Sequence, residues 1–259
     1  MANSTIPTVD ISPFFKENGN DEEAKKKAKE TISQACYECG FFQIVNHGIP
    51  TTLMRKALAL SESFFGFSSE EKLKSSPNSS APLPAGYSRQ PDHSLDKNEY
   101  LLMFPPASNF NVYPENPPQF RGEMCEFVRE VLEEMFLELT KLGMLVESIL
   151  NECLGLPPNF LKEYNHDRSL DVMVALHYFP ATECENSGNS EHEDGNCITF
   201  VIQDDVGGLE VLKNNEWIPV TPTQGTIVVN VGDVIQVTNR PTFFALGGDV
   251  KTPSIPFFT

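Results

Sequence analysis

Basic residues, long apolar runs and cysteines are all scarce in this sequence. Its 19 Lys and Arg stand against 36 Asp and Glu, which gives a formal net charge of −17 at pH 7. Nucleic acids and anionic membrane surfaces bind clustered positive charge, so neither is an expected partner. No apolar run reaches the roughly 18 residues that cross a bilayer. The first residues lack the basic and apolar regions of a secretory signal, and we therefore expect a cytoplasmic protein.

The cysteines are too few and too scattered to form a disulfide framework, since only six occur in 259 residues. Cys36 and Cys39 have the CxxC spacing of redox and zinc motifs, but no second pair follows them. They fall near the end of a helical pattern rather than in a turn after a strand. We therefore expect two small, buried residues of a helix.

The first two thirds of the chain show mostly helical patterns. Alternating residues predict a short strand over Ile6–Ile11, and an apolar stripe predicts a helix over Glu22–Cys39. A short apolar run predicts a strand over Phe41–Val45, and helical spacing predicts a second helix after Pro50, through Phe64. The segment Ser75–Pro118 is rich in Ser, Pro and Asn and reads as loops with one short strand around Tyr100–Met103. A long helix is predicted from about Phe120 to Leu154.

The pattern changes after Asp171, where short apolar runs alternate with turn residues. Strands are predicted at Val172–Phe179, Cys197–Ile202, Gly208–Leu212, Glu216–Val220, Thr226–Val229 and Val234–Val237. Such a series is typical of a β-barrel or jelly roll. The sequence therefore predicts an α+β fold with a helical N-terminal part and an all-β C-terminal part.

The segment His192-Glu193-Asp194 contains two candidate metal ligands. Side chains alternate along a strand, so His192 and Asp194 would point to one side and Glu193 to the other. One imidazole and one carboxylate can bind a single divalent cation, and they form two thirds of the two-His, one-carboxylate triad of non-haem iron oxygenases. An isolated His-x-Asp also occurs by chance, and a surface turn is the alternative interpretation.

Several further segments accompany this pattern in a recognisable order. They are Ile6–Asp10 and Cys39–Pro50 near the start of the chain, and Gly195–Phe200, Gly207–Val211, Trp217–Val220 and Val228–Asp233 after His192. Together they resemble the plant 2-oxoglutarate/Fe(II)-dependent dioxygenases, the superfamily of flavonoid, alkaloid and gibberellin oxygenases. The resemblance extends from Ile6 to about Val237.

The resemblance implies a double-stranded β-helix, or jelly roll, with N-terminal helices. It also implies Fe(II), 2-oxoglutarate and O₂ as reactants, ascorbate as reductant and a small specialised metabolite or hormone as substrate. His192 and Asp194 match the first two iron ligands, and Tyr178 matches a strand that contacts the keto acid. His47 lies in a turn motif of the family, where we expect a structural hydrogen bond.

The same resemblance divides the chain into four parts. Residues 1–118 match the N-terminal region, residues 119–170 form a long helix and connector, and residues 171–237 match part of the jelly roll. Residues 238–259 resemble nothing in the family, so we expect a fold that is incomplete at the C-terminus. A truncated or altered gene product is the simplest explanation of such a tail.

Two residues that the family requires are missing. His192 is the last of five histidines, so no later histidine can be the third ligand. Near the expected position only Asp249 could bind a metal, and the only later arginine, Arg240, comes too early to bind 2-oxoglutarate. Two hypotheses follow: an oxygenase that is impaired as written, or a catalytically inactive binding or regulatory relative.

Overall fold

The computed structural model describes residues 5–15, 21–114, 123–179, 188–238, 250–251 and 256–258. The helices are α1 (Glu22–Glu38), α2 (Thr51–Phe65), α3 (Ser69–Leu73), α4 (Glu123–Cys153), α5 (Phe160–Tyr164) and α6 (Asp233–Thr238). The strands are β1 (Thr8–Asp10), β2 (Phe41–Val45), β3 (Gly86–Arg89), β4 (Asn98–Met103), β5 (Met173–Tyr178), β6 (Ile198–Val201), β7 (Glu210–Lys213), β8 (Glu216–Pro219), β9 (Ile227–Val231), β10 (Val250–Lys251) and β11 (Pro256–Phe258). No helix in these ranges combines the length and the apolar character that a membrane crossing requires.

Two sheets face each other around a small apolar core. The larger sheet has the order β1-β2-β9-β6-β11, and the smaller one has the order β10-β7-β8. The core between them contains Phe41, Val201 and Val228 from the larger sheet and Val211 and Ile218 from the smaller one. The N-terminal strand β2 pairs antiparallel with β9, so the first and last parts of the chain build one sheet.

The helices cover the other face of the larger sheet. Side chains of α1, α2 and α4 pack there against residues of β2, β6 and β9, among them Ile44, Phe200 and Val229. A third sheet, β3-β4-β5, continues this layer, since β5 lies beside β11. Two facing sheets with helices packed on one of them confirm the predicted α+β jelly roll.

The predicted strand over Val234–Val237 is wrong, because these residues belong to α6. The backbone leaves the sheet after Val231, and the amide of Val234 donates to the carbonyl of Asn196 at 3.3 Å. The amide of Ile235 donates to the carbonyl of Gly232 at 3.1 Å, which starts a helical turn. A four-residue run with three apolar residues fits a strand and a helical turn equally well, so its period does not decide between them.

Three strands were not predicted from the sequence. β3 lies in the segment for which the sequence predicts loops, and it is stabilised by antiparallel pairing with β4. Two more come from the C-terminal tail: the backbone of β10 pairs with β7, and that of β11 pairs with β6. All three are two to four residues long, so their pattern is too short to read without the partner strand.

Candidate metal centre

The structure brings His192 and Asp194 together just before β6. His192 forms an isolated β-bridge, whereas Glu193 and Asp194 have no regular structure, so the segment is not a continuous strand. Its side chains nevertheless alternate, because His192 and Asp194 are half-buried and Glu193 is exposed. Nε2 of His192 lies 3.6 Å from Oδ1 of Asp194. One nitrogen and one carboxylate oxygen therefore converge on the same small volume.

The imidazole of His192 is held in the tautomer that a metal requires. Its Nδ1 lies 2.8 Å from the backbone carbonyl of Ser190. A carbonyl oxygen only accepts hydrogen bonds, so Nδ1 carries a hydrogen, and in the neutral ring the free lone pair is then on Nε2. Metal-binding histidines commonly use their second ring nitrogen in this way.

The carboxylate of Asp194 is fixed through its other oxygen. Oδ2 accepts a hydrogen bond from Oγ1 of Thr199 at 2.6 Å and another from Nδ2 of Asn230 at 2.7 Å. Both donors are almost completely buried. This leaves Oδ1 on the side of His192.

The two donor atoms fit a divalent cation. Two ligand atoms that each lie about 2.1 Å from one metal ion are about 3.0–3.4 Å apart, so the observed 3.6 Å requires a movement of only a few tenths of an ångström. Within the parts of the chain that the structure describes, no group of three His, Cys, Asp or Glu residues could hold a metal. Asp249 and Arg240 lie outside those parts.

Hydrogen bonds to the start of β4 hold the segment that carries His192. The amide and hydroxyl of Ser190 donate to Oδ1 of Asp96 at 2.6 and 2.5 Å. Nδ2 of Asn98 donates to the carbonyl of Gly188 at 2.8 Å. Asn98 is opposite Tyr178 in the β4–β5 register, so Tyr178 lies on the strand pair that anchors this segment.

A second polar cluster surrounds Glu99 on β4, and no sequence pattern pointed to it. The buried carboxylate accepts hydrogen bonds from Lys72, from Tyr87 and from Nδ1 of His177, over 2.7–3.0 Å. Burial by itself would raise the pKa of Glu99, but the bonds from His177, Lys72 and Tyr87 outweigh it and lower the pKa to about 2. The imidazole of His177 is therefore bonded to Glu99. Tyr178 follows it directly in β5, so its side chain points to the opposite face of the strand.

His47 and the CxxC cysteines have the structural roles that the sequence predicts. Nδ1 of the buried His47 accepts a hydrogen bond from the amide of Ile49 at 3.2 Å. Burial lowers the pKa of His47, which keeps the ring neutral. Cys36 and Cys39 are free, buried thiols at the end of α1, and burial raises the pKa of both.

Two family models match the chain. Residues 6–124 match the non-haem dioxygenase in morphine synthesis N-terminal model, and residues 170–244 match the model of the 2OG-Fe(II) oxygenase superfamily. The second match contains His192, Asp194, Thr199 and Asn230.

Solved structures share the fold. The crystal structure of JOX2 in complex with 2OG, Fe and JA superposes on this chain with a TM-score of 0.76. The two sequences are 27% identical, and the match covers 98% of this chain and 74% of that one. The structure of a full-length Neurospora crassa protein in complex with alpha-KG and thymine has a TM-score of 0.81 at 19% identity, over 100% of this chain and 85% of that one.

Curated relatives are similar over nearly the whole chain. 1-aminocyclopropane-1-carboxylate oxidase homolog 1 of Arabidopsis thaliana is 30% identical over 93% of this chain. The chain spans only 59–64% of the length of this and four further relatives. Jasmonate-induced oxygenase 2 of Arabidopsis thaliana is 30% identical over 98% of this chain and 70% of its own length. The chain therefore belongs to the 2OG-Fe(II) oxygenase superfamily.

Proposed function

We propose that this chain is a 2-oxoglutarate-dependent Fe(II) oxygenase-like protein that acts on a small specialised metabolite or hormone. The observation that carries the proposal is the convergence of His192 Nε2 and Asp194 Oδ1 at 3.6 Å, with every other polar atom of the two side chains already bonded. Superfamily membership supports Fe(II) as the metal and 2-oxoglutarate as the co-substrate. When bound, these two supply the oxidation of a substrate by O₂, with decarboxylation of the keto acid to succinate.

The protein's own residues bind and orient. His192 gives a neutral nitrogen and Asp194 a negative oxygen, which together offset part of the charge of a divalent cation. Tyr178, beside the anchored segment, offers a hydroxyl to the keto acid. The name of jasmonate-induced oxygenase 2 and the JA bound to JOX2 support a small, hormone-like substrate.

The site supplies two protein ligands from the described residues, where the two-His, one-carboxylate triad has three. We therefore propose that turnover is impaired in this chain. The same observation favours a second candidate, a catalytically inactive relative that binds a small molecule or regulates an intact enzyme. In both cases His192 and Asp194 remain the metal ligands, and residues 171–237 remain the oxygenase part.

Succinate release separates the two candidates. The purified chain is incubated with Fe(II), ascorbate, 2-oxoglutarate and a panel of small metabolites and hormones. An impaired oxygenase releases succinate below about 1 s⁻¹, against roughly 10 s⁻¹ for a typical enzyme, and His192→Ala abolishes the release. Tyr178→Phe raises the half-saturating 2-oxoglutarate concentration, whereas Tyr164→Phe, which changes an exposed tyrosine of α5, leaves it unchanged.

Succinate at the level of His192→Ala with every substrate would rule out the oxygenase and favour the inactive relative. Release that survives His192→Ala would show that the metal is held elsewhere.

A further inference from the structure

We propose that Thr199 and Asn230 are positioning residues of the metal centre, which hold Oδ2 of Asp194 so that Oδ1 alone faces the metal. The inference rests on the proposed function, because Asp194 is the proposed ligand. It concerns two polar residues that interrupt apolar strands: Thr199 in β6, and Asn230 in β9.

The hydroxyl of Thr199 has two acceptors within reach, Oδ2 of Asp194 at 2.6 Å and Oδ1 of Asn196 at 3.4 Å, and the much shorter contact is the one to Asp194. Nδ2 of Asn196 donates to Oγ1 of Thr199 at 3.0 Å, which occupies a lone pair of that oxygen. The hydroxyl is then free to donate to Oδ2 of Asp194 at 2.6 Å, a length typical of a hydrogen bond to an ionised carboxylate. Asn196, Thr199 and Asp194 thus form a short directed chain of hydrogen bonds.

The orientation of the Asn230 side-chain amide is set by its hydrogen bond to Asp194, at the expense of its own carbonyl oxygen. Its Nδ2 donates to Oδ2 of Asp194, while its Oδ1 is buried and has no hydrogen-bond partner among the residues that the structure describes. A buried carbonyl without a donor is unfavourable, by about 1–3 kcal/mol. The reversed amide would set two oxygens against each other, so the carboxylate fixes the orientation. The other four residues of β9 are Ile and Val, and all five are buried.

Two donors on one oxygen restrict the carboxylate to one mode of binding. Rotation of the carboxyl group would break both hydrogen bonds, so Oδ2 stays on the protein side and Oδ1 stays near Nε2 of His192. A metal ion then meets a single, preset oxygen. A preset oxygen matters more in a site with two protein ligands than in a site with three, because each of the two ligand atoms then contributes a larger share of the binding.

The test measures metal affinity rather than activity. Mn(II) is titrated into the full chain at pH 7, and free Mn(II) is followed by electron paramagnetic resonance. Loss of a partner of a metal ligand typically weakens binding by about 10–100-fold, and we expect this for Thr199→Val and for Asn230→Ala. Thr199→Ser keeps the hydroxyl and is expected to bind within about threefold of wild type.

Thr140→Val is the matched control, because its hydroxyl bonds the carbonyl of Phe136 within α4, away from the site. The thermal midpoint without metal is recorded for every variant, so that a loss of fold is distinguished from a loss of affinity. The inference is overturned if folded Thr199→Val or Asn230→Ala binds Mn(II) like wild type, or if Thr199→Ser is as weak as Thr199→Val. Absence of binding in the wild type would instead refute the metal site of the proposed function.

Discussion

Glu99 is a buried carboxylate whose charge is balanced by Lys72, and both side chains are nearly inaccessible to water. Removal of one partner of such a pair leaves a buried, uncompensated charge, which typically destabilises a protein by about 3–5 kcal/mol. We therefore expect Glu99→Gln to lower the free energy of unfolding by that amount at pH 7, measured by urea denaturation. Glu138→Gln is the control, because its partner Lys141 is exposed and such pairs contribute about 0–1 kcal/mol.

The Glu99 effect depends on pH in a defined direction. The pKa of Glu99 is lowered to about 2 in the folded protein and is about 4.3 in an unfolded chain. The stabilisation is therefore fully present above about pH 4.3 and is lost as the pH falls toward 2. The difference between wild type and Glu99→Gln shrinks over this interval. A difference that stays constant down to pH 2 would contradict this account.

Only some residues of the candidate site can be recognised from the sequence. His192 and Asp194 are candidate ligands on the sequence alone, because their two-residue spacing is itself the signal. Thr199 and Asn230 cannot be recognised in this way, since their partner Asp194 lies 5 and 36 residues away. A polar residue inside an apolar strand was the available hint, and only the fold shows which polar group it meets.

The junction between β9 and α6 packs against the segment that carries Asp194, one of the two proposed metal ligands. A Cβ on Gly232 would lie 2.3 Å from the carbonyl oxygen of Asn196 and 2.7 Å from that of Asp194, so only glycine lets the two segments approach. We expect Gly232→Ala to destabilise the fold by about 1–3 kcal/mol, or several degrees in thermal midpoint for a chain of this size. Differential scanning fluorimetry measures this shift.

Gly195→Ala is the matched control for the junction, because Gly195 lies between Asp194 and Asn196 in the facing segment and a Cβ there would meet nothing within 4 Å. Its thermal midpoint is expected to stay within about a degree of wild type. An equal shift of the thermal midpoint for both variants would mean that stability does not depend on the close approach of Gly232 to the facing segment.

Elements were predicted well where their pattern is long. The helices α1, α2 and α4 and the strands from β5 to β9 follow the apolar periodicity of the sequence. The short elements β3 and α6 were missed or mistaken, because four to six residues do not reveal a period and their neighbours decide the outcome. β3 needs β4, and α6 needs the turn at Asn196.

At the scale of the whole molecule, the order of the segments identified the fold more securely than any one pattern did. β2 pairs with β9 across most of the chain length, a contact that no local periodicity predicts. The resemblance predicted a jelly roll with N-terminal helices, and the two facing sheets confirm it. Among the described residues no group of three His, Cys, Asp or Glu residues could hold a metal, so the structure gives the candidate site two protein ligands.

Anaerobic calorimetric titration with Fe(II), in the presence of 2-oxoglutarate, tests the metal centre most directly. We expect the wild type to bind one Fe(II) per chain. His192→Ala and Asp194→Ala are both expected to lose this binding while they keep the wild-type circular dichroism spectrum. Binding of Fe(II) by either variant with wild-type affinity, or no binding by the folded wild type, would contradict it.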